Sequence, residues 1–297
     1  MKNTLIAKQN KLKSRLIILS IVSNTVLVLL KLIAGFITGL ASIIAEALHS
    51  ANDLVASLVA YVGVNKSLKP PDEEHQYGHG KIETITGWIE NILILLIGVG
   101  IIYEGTRKYF HRSPQQFVEI GIILMIFSGI VNYFISQYLI KKGRELGSVG
   151  IEVDGEHLRA DVITSVGTAV ILIILKITKL WWLDPAGAIL IGLWVIGIFF
   201  KLSQKLTHQI LDKGLSKNEL SVIESILKTF PDVKGFHKLR TRQSGSTIFI
   251  DMHIFVNKSL TVQRAHDLTK EIENSIQQQF VNSSALIHIE PYRKLNI

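Results

Sequence analysis

Residues 40–64 read LASIIAEALHSANDLVASLVAYVGV, and residues 156–162 read EHLRADV at the head of a second apolar run. The first stretch is long enough to cross a bilayer, since about 20 mostly apolar residues span the hydrocarbon core as a helix. Yet it carries His49 and Asp53 in its interior, and the second run carries His157 and Asp161 at the same spacing. An ionisable residue inside a span is costly unless it is paired, hydrated or bound to an ion. Positions i and i+4 share one face of a helix about 6 Å apart, so each His-x-x-x-Asp pair can close on one cation. Two such helices facing each other offer two nitrogens and two oxygens, a tetrahedral shell of the zinc type. A buried His–Asp hydrogen bond packing one helix on its neighbour is the competing explanation for a single pair. Repetition of the spacing on two spans favours the metal.

Outward from these pairs the chain reads as a polytopic α-helical membrane protein. Of 297 residues, 48% are hydrophobic and 19% charged, and the mean hydropathy is +0.34. The apolar residues gather in six runs: Leu16–Ile37, Leu40–Val64, Ile85–Tyr103, Phe117–Ile140, Leu158–Leu180 and Leu183–Leu202. The first is too long for a cleaved signal segment and carries Lys31, so it is expected to be retained. Thirteen Lys and Arg flank the spans on one side (Lys2, Lys8, Lys11, Lys13, Arg15, Lys66, Lys69, Lys81, Lys141, Lys142, Arg144, Lys201, Lys205) and five on the other (Arg107, Lys108, Arg112, Lys176, Lys179). The positive-inside rule then places both termini in the cytoplasm. The net charge of +8 is scattered through these loops and forms no stripe of the kind that nucleic acid requires. Trp181 and Trp182 fit an interfacial belt. Glu46 and Glu90 are expected to meet water or Lys31, and Asn24 and Asn132 to hydrogen-bond between helices.

No cysteine is present, which leaves metal binding to His, Asp and Glu. A second cluster lies in the loop before the third span, Pro70-Pro71-Asp72-Glu73-Glu74-His75-Gln76-Tyr77-Gly78-His79-Gly80-Lys81. Asp72, His75 and His79 suit a metal, and equally suit a solvated loop.

After residue 206 the pattern becomes a small αββαβ domain. Ser216 caps a helix with Glu219 as its capping-box partner. Thr247 to Val256 alternates, with Ile248, Ile250, Met252, Ile254 and Val256 on the apolar face and His253 on the other. Thr261 caps a helix with the stripe Val262, Ala265, Leu268, Ile272 and Ile276, and Ala285 to Pro291 forms a last strand. His237, His253, His288 and Glu290 sit on three strands, where convergence on the polar face would make a metal centre; His266 lies at the edge of the helix stripe, and His111 and His208 have no assignment. About 90 residues bury only a modest core, so a partner surface is expected.

Together the two His-x-x-x-Asp pairs, the segment His75-Gln-Tyr-Gly-His79-Gly-Lys81 with Glu83, and the tail Gly-Phe-His237-Lys-Leu-Arg-Thr-Arg-Gln-Ser-Gly resemble the cation diffusion facilitator family of divalent-metal/proton antiporters. The resemblance covers nearly the whole chain. It implies a homodimer, with residues 1–15 as a cytoplasmic segment, 16–206 as a six-helix transmembrane domain and 207–297 as a cytoplasmic domain of metallochaperone-like, ferredoxin-like type. It implies a transport site of His49, Asp53, His157 and Asp161, a loop site of Asp72, His75 and His79, and a cytoplasmic site of His237, His253, His288 and Glu290 with His266 as an extra ligand. Lys81 and Asp212 are implied as an interlocking charge pair. Two positions depart from the well-studied bacterial zinc and cadmium members: His49 and Glu290 each stand where those have Asp.

Two carboxylates and two neutral imidazoles bind a divalent ion as a neutral complex, and the empty site with both imidazoles protonated is also neutral. Metal-for-proton exchange would thus strand no charge in the membrane, and imidazole, titrating near ~6.5, competes for protons at cytoplasmic pH. Mixed N/O shells favour zinc, cobalt and ferrous iron. The expectation is zinc export across a bacterial or archaeal plasma membrane, with ferrous iron as the closest rival and cobalt or cadmium behind it. The tail site is expected to sense cytoplasmic zinc. A membrane metal receptor without transport is a second reading. An intramembrane hydrolase is disfavoured, because four ligands close the shell that a metal-bound water would need.

Overall fold

The computed structural model describes residues 2–38, 41–110, 118–178, 180 and 182–292. Among them are six long helices, α1 (Lys2–Thr38), α2 (Ala41–Ser67), α3 (Lys81–Phe110), α4 (Val118–Glu145), α5 (Val149–Thr178) and α6 (Leu183–Ile210). A small mixed domain follows: α7 (Lys217–Lys228), β1 (Val233–Ser244), β2 (Thr247–Val256), α8 (Val262–Gln279) and β3 (Ser283–Pro291). Contacts divide the chain into two compact units, Asn10–Leu206 and Thr207–Ile297 with Met1–Gln9. Phe117 and Trp181 lie outside the described residues, as does His111.

α1, α3 and α5 start before the apolar runs they contain. α5 opens at Val149, nine residues ahead of Leu158, and every residue from Ser148 to Leu158 is buried. Glu152, Asp154 and Glu156 in that stretch break the apolar run without breaking the helix, because neighbouring helices rather than lipid surround them. Among the described residues, four segments are long and apolar enough to cross a membrane by composition alone: Leu5–Ile33, Lys81–Arg107, Ile122–Glu145 and Pro185–Ile210. None of the four belongs to α2 or α5, the helices that carry the His-x-x-x-Asp pairs. Elsewhere the bundle is apolar on the outside: Ile177, Leu190 and Phe134 are each about two-thirds exposed or more, as expected for side chains that face lipid.

α5 belongs to both apolar clusters of this unit. Ile151 and Leu158 pack with Leu16, Ile17 and Leu139, while Val149, Val153 and Ala160 pack with Ile94, Val195 and Leu202. α3 and α6 meet at a pair of glycines. A Cβ on Gly98 would stand 3.2 Å from the Gly192 carbonyl oxygen, and one on Gly192 would stand 2.8 Å from that of Gly98. Small residues at such crossings let two backbones meet.

In the tail the capping box is formed as the sequence predicts, with Ser216 and Glu219 exchanging hydrogen bonds at the start of α7. β2 lies between β1, antiparallel, and β3, parallel. Ile250, Met252, Ile254 and Val256 are buried against Leu268, Ile272 and Ile276 of α8 and Ile223 and Leu227 of α7. Val262, expected on the buried stripe, is instead 88% exposed. Helical side chains lean toward the N-terminus, so at the first residue of α8 this one projects over the capping turn, and the stripe begins at Ala265.

The glycine crossing gives a direct check. Gly192→Val should lower the stability of the detergent-solubilised protein by about 1–3 kcal/mol through overpacking, read as a lower thermal midpoint. Gly100→Ala, where an added Cβ meets nothing within 4 Å, should leave the midpoint unchanged.

Candidate metal centres

The buried centre is assembled by α2 and α5. One carboxylate oxygen each of Asp53 and Asp161 and one ring nitrogen of His157 lie within 4.8 Å of one another, and the three residues are 5%, 4% and 1% exposed. His157 Nε2 stands 3.5 Å from Asp53 Oδ1, too far for a good hydrogen bond. Among the described residues, neither ring nitrogen of His157 nor Asp53 Oδ1 has a hydrogen-bond partner. Buried polar atoms left in this way are expensive, and a divalent cation there would satisfy Asp53 Oδ1 and one ring nitrogen of His157. His49 lies one turn before Asp53 on the same face of α2, but its side chain is outside the described residues. A cavity of about 210 Å³ adjoins the centre, bordered by Lys31, Ser50, Asp53, Asn132 and Asp161.

Polar side chains that sequence reasoning passed over surround this centre. Asp154, one turn before His157, is fully buried. Its Oδ1 accepts from Ser57 Oγ at 3.1 Å, and Ser57 Oγ in turn accepts from Asn24 Nδ2 at 2.9 Å and lies 3.0 Å from Ser20 Oγ. Asn24 thus ties α1 to α2. The Asp-x-x-His spacing ahead of the ligands is the signal that would have found Asp154. Glu83 ties α3 to α2 and α5, accepting from Ser67 Oγ at 3.2 Å, from Gly150 N at 2.9 Å and from Ser148 Oγ. A carboxylate at the start of α5 also suits the positive end of the helix dipole. Glu90, expected to meet water or Lys31, is fully buried, and neither carboxylate oxygen has a hydrogen-bond partner among the described residues. The Lys31 ammonium instead donates to Ser50 Oγ at 2.7 Å.

The loop centre is compact and open to solvent. Asp72 lies 3.3 Å from His75 Nδ1 through Oδ1 and 3.2 Å from His79 Nε2 through Oδ2, and the two rings are 4.5 Å apart. Gly78 takes a φ of +81°, which turns the chain between the two histidines. The backbone N–H of His75, bonded to Asp72 Oδ1 at 2.7 Å, is the main cause holding the Asp72 carboxyl below its usual range, with the charge of His79 adding to it.

In the tail, register does what alternation alone could not establish. His237 pairs with His253, and His253 with His288, so three histidines stand abreast across the sheet. Glu290 reaches back to two of them, with Oε1 at 2.7 Å from His253 Nδ1 and Oε2 at 3.2 Å from His237 Nε2. Ligand atoms of His237, His253 and Glu290 fall within 4.8 Å of one another. His288 lies beside them, its ring 4.6 Å from that of His253 and tilted to it, but is outside that close set. His266 is exposed on α8, the helix covering the opposite, apolar face. Asp212 takes a φ of 51° after α6, with its carboxylate 3.8 Å from Arg242 Nη1, and Lys81 opens α3.

Residues 17–211 match the cation efflux transmembrane domain and residues 215–292 the cation efflux protein cytoplasmic domain. An uncharacterized transporter of Synechocystis sp. is 33% identical over 264 residues, 88% of this chain and 85% of that one. The cation-efflux pump FieF of Cronobacter sakazakii is 28% identical over 95% of this chain and 93% of its own. Among solved structures, the metal-bound C-terminal domain of the CzcD transporter from Thermotoga maritima is 30% identical, covering 28% of this chain and 100% of that one, with a TM-score of 0.25.

Hydrogen bonds from His253, and then His237, hold the Glu290 carboxyl below its usual range. A depressed carboxylate lends stability that is complete above its unfolded value, ~4.3, and is lost as pH falls through the lowered one. In metal-free protein, hydrogen-exchange protection of β2 and β3 should therefore decline below about pH 4. Glu290→Gln should flatten that acid-side decline.

Proposed function

The chain belongs to the cation diffusion facilitator family of cation-efflux transporters, and from that premise we propose that it exports zinc from the cytoplasm in exchange for protons. That it is a membrane protein with a cytoplasmic C-terminal domain, handling divalent metal cations, follows from the family. The finer reading rests above all on one observation: Asp53, His157 and Asp161 converge, buried, in the helical bundle. His49, from the same face of α2, completes a shell of two nitrogens and two oxygens.

Such a shell suits zinc at ~2.0–2.2 Å from nitrogen and oxygen ligands, and its charge balance supports antiport. Metal entering from the cytoplasm displaces protons from the imidazoles. Protons arriving from the far side displace the metal there, as the helices rock between the two accesses. Ferrous iron fits the same mixed shell and is the second substrate this donor set admits. Closure of the shell by four protein ligands is what argues against hydrolysis at this metal.

The same reading gives the remaining features their roles. The chain works as a homodimer in the plasma membrane with both termini cytoplasmic. Asp72, His75 and His79 bind metal at the cytoplasmic surface. His237, His253, His288 and Glu290 bind zinc in the tail and bias the dimer toward one arrangement when cytoplasmic zinc rises. His266 is a further ligand when the tail site is shared between protomers.

The test is metal uptake into proteoliposomes under an imposed pH gradient. Zinc flux should follow the gradient and fall by about 100-fold or more in Asp53→Ala and in Asp161→Ala, because each leaves a buried charge pattern that no longer closes on the metal. Zinc flux indifferent to the gradient would defeat the proton exchange. Stoichiometric zinc binding with no flux would replace export by a receptor role.

A further inference from the structure

Exchange of metal for protons requires the transport site to open to one side at a time, so the cytoplasmic side has to be held shut while the far side is open. We propose that the ion pair between Glu152 of α5 and Lys205 of α6 is the latch that holds it. The proposal rests on the assignment of Asp53, His157 and Asp161 as the transport site and adds the residues that control access to it.

The helices fix which side is which. α6 leads into the cytoplasmic domain, so its C-terminal end is cytoplasmic and its Leu183 end is the far one. α5 ends at Thr178, just before α6 begins, and therefore runs from the cytoplasm outward. Along α5, Asp161, Thr164 and Ser165 border the cavity of about 210 Å³, and Ile191 borders it from the far half of α6. The open space thus lies beyond His157, toward the far side. Toward the cytoplasm the opposite holds: every residue from Ser148 to Leu158 is buried, and Val153 shares an apolar cluster with Val195, Leu202 and Leu206 of α6.

At the head of α5 this closure is held by two ties of different kinds. Glu83 of α3 is fully buried and accepts from Ser67, Ser148 and Gly150, so letting go costs three hydrogen bonds in the interior. Glu152 is also buried, but its partners are not: Arg144, with Nε 3.1 Å from Oε1, and Lys205, whose ammonium donates to Oε2, are each about half exposed. Arg144 belongs to the last turn of α4, which leads straight into α5, and stays with the carboxylate when α6 moves. Lys205 reaches across from another helix, and water takes over its hydration as the bond breaks. Arg144 then still compensates Glu152, a buried charge that would be too costly to strand. One cation anchors the acid while the other lets go, and a pair already half in water is weak enough to open in each cycle.

The sequence contains no cysteine, so single introduced thiols report access directly. Val153→Cys reports the cytoplasmic side and Ser165→Cys the far-side cavity, each labelled with a water-soluble maleimide in the detergent-purified full chain. Adding Lys205→Gln should raise the labelling rate of the Val153→Cys protein by about fivefold or more without raising that of the Ser165→Cys protein. Lys205→Arg should leave both rates at the parent values. Glu152→Gln removes the same bond from its other end and should act in the same direction, so it carries the test if Lys205→Gln fails to fold. A pair that merely stabilised the bundle would, once broken, raise both rates together or neither, and either result would overturn the proposal. Labelling needs neither metal nor flux, so it reads the latch even where zinc export fails in the proteoliposome assay.

Discussion

Burying two carboxylates and an imidazole among membrane helices is the constraint on which the remainder of this fold depends. Left without a cation, Asp53, His157 and Asp161 would be a large liability in a low-dielectric interior. The surrounding structure is arranged to hold them together anyway. α5 is buried continuously from Ser148 through Leu158 and packs into both apolar clusters of the bundle. Glu83 secures its first turn, accepting hydrogen bonds from Ser148 and Gly150, and Ser57 connects α2 to Asp154 one turn before His157. Ligand positions are thus fixed by neighbours on the surrounding helices, which is what a site needs if metal arrival is to cost little rearrangement.

The three centres differ in exposure and so in the kind of metal equilibrium each can support. The centre between α2 and α5 is buried, and its carboxylates and imidazole gain most from a bound ion. The loop centre is more open, with Asp72 and His75 half exposed, so water competes at those two ligand positions. In the tail centre, His237, His253 and Glu290 are each between a quarter and two-fifths exposed. The sheet pairing fixes the rows of these residues before any metal binds, which favours a responsive site over one that must fold around its ion.

Much of this was legible in the sequence because its signals are local. A helical spacing of four brings His and Asp onto one face, and alternation along β2 separates His253 from the apolar side. What escaped was set by neighbours. The helical extent of α5 was hidden because Glu152, Asp154 and Glu156 interrupt hydropathy while adjacent helices, not lipid, enclose them. Glu90 read as a water-contacting acid because nothing in the sequence shows which face of α3 is closed. Val262 fits the apolar stripe of α8 by period, but a first-turn side chain leans over the cap. Alignment of the three tail histidines required the register between β1, β2 and β3, which alternation within one strand does not contain.

The central claim is that the transported metal is bound between α2 and α5 inside the membrane. Anomalous scattering at the zinc edge, from crystals of the zinc-loaded full-length protein, tests it most directly. The account predicts a peak at bonding distance, ~2.0–2.2 Å, from Asp53 and Asp161 carboxylate oxygens and a His157 ring nitrogen. Zinc peaks confined to the loop and tail centres, with none between α2 and α5, would contradict it.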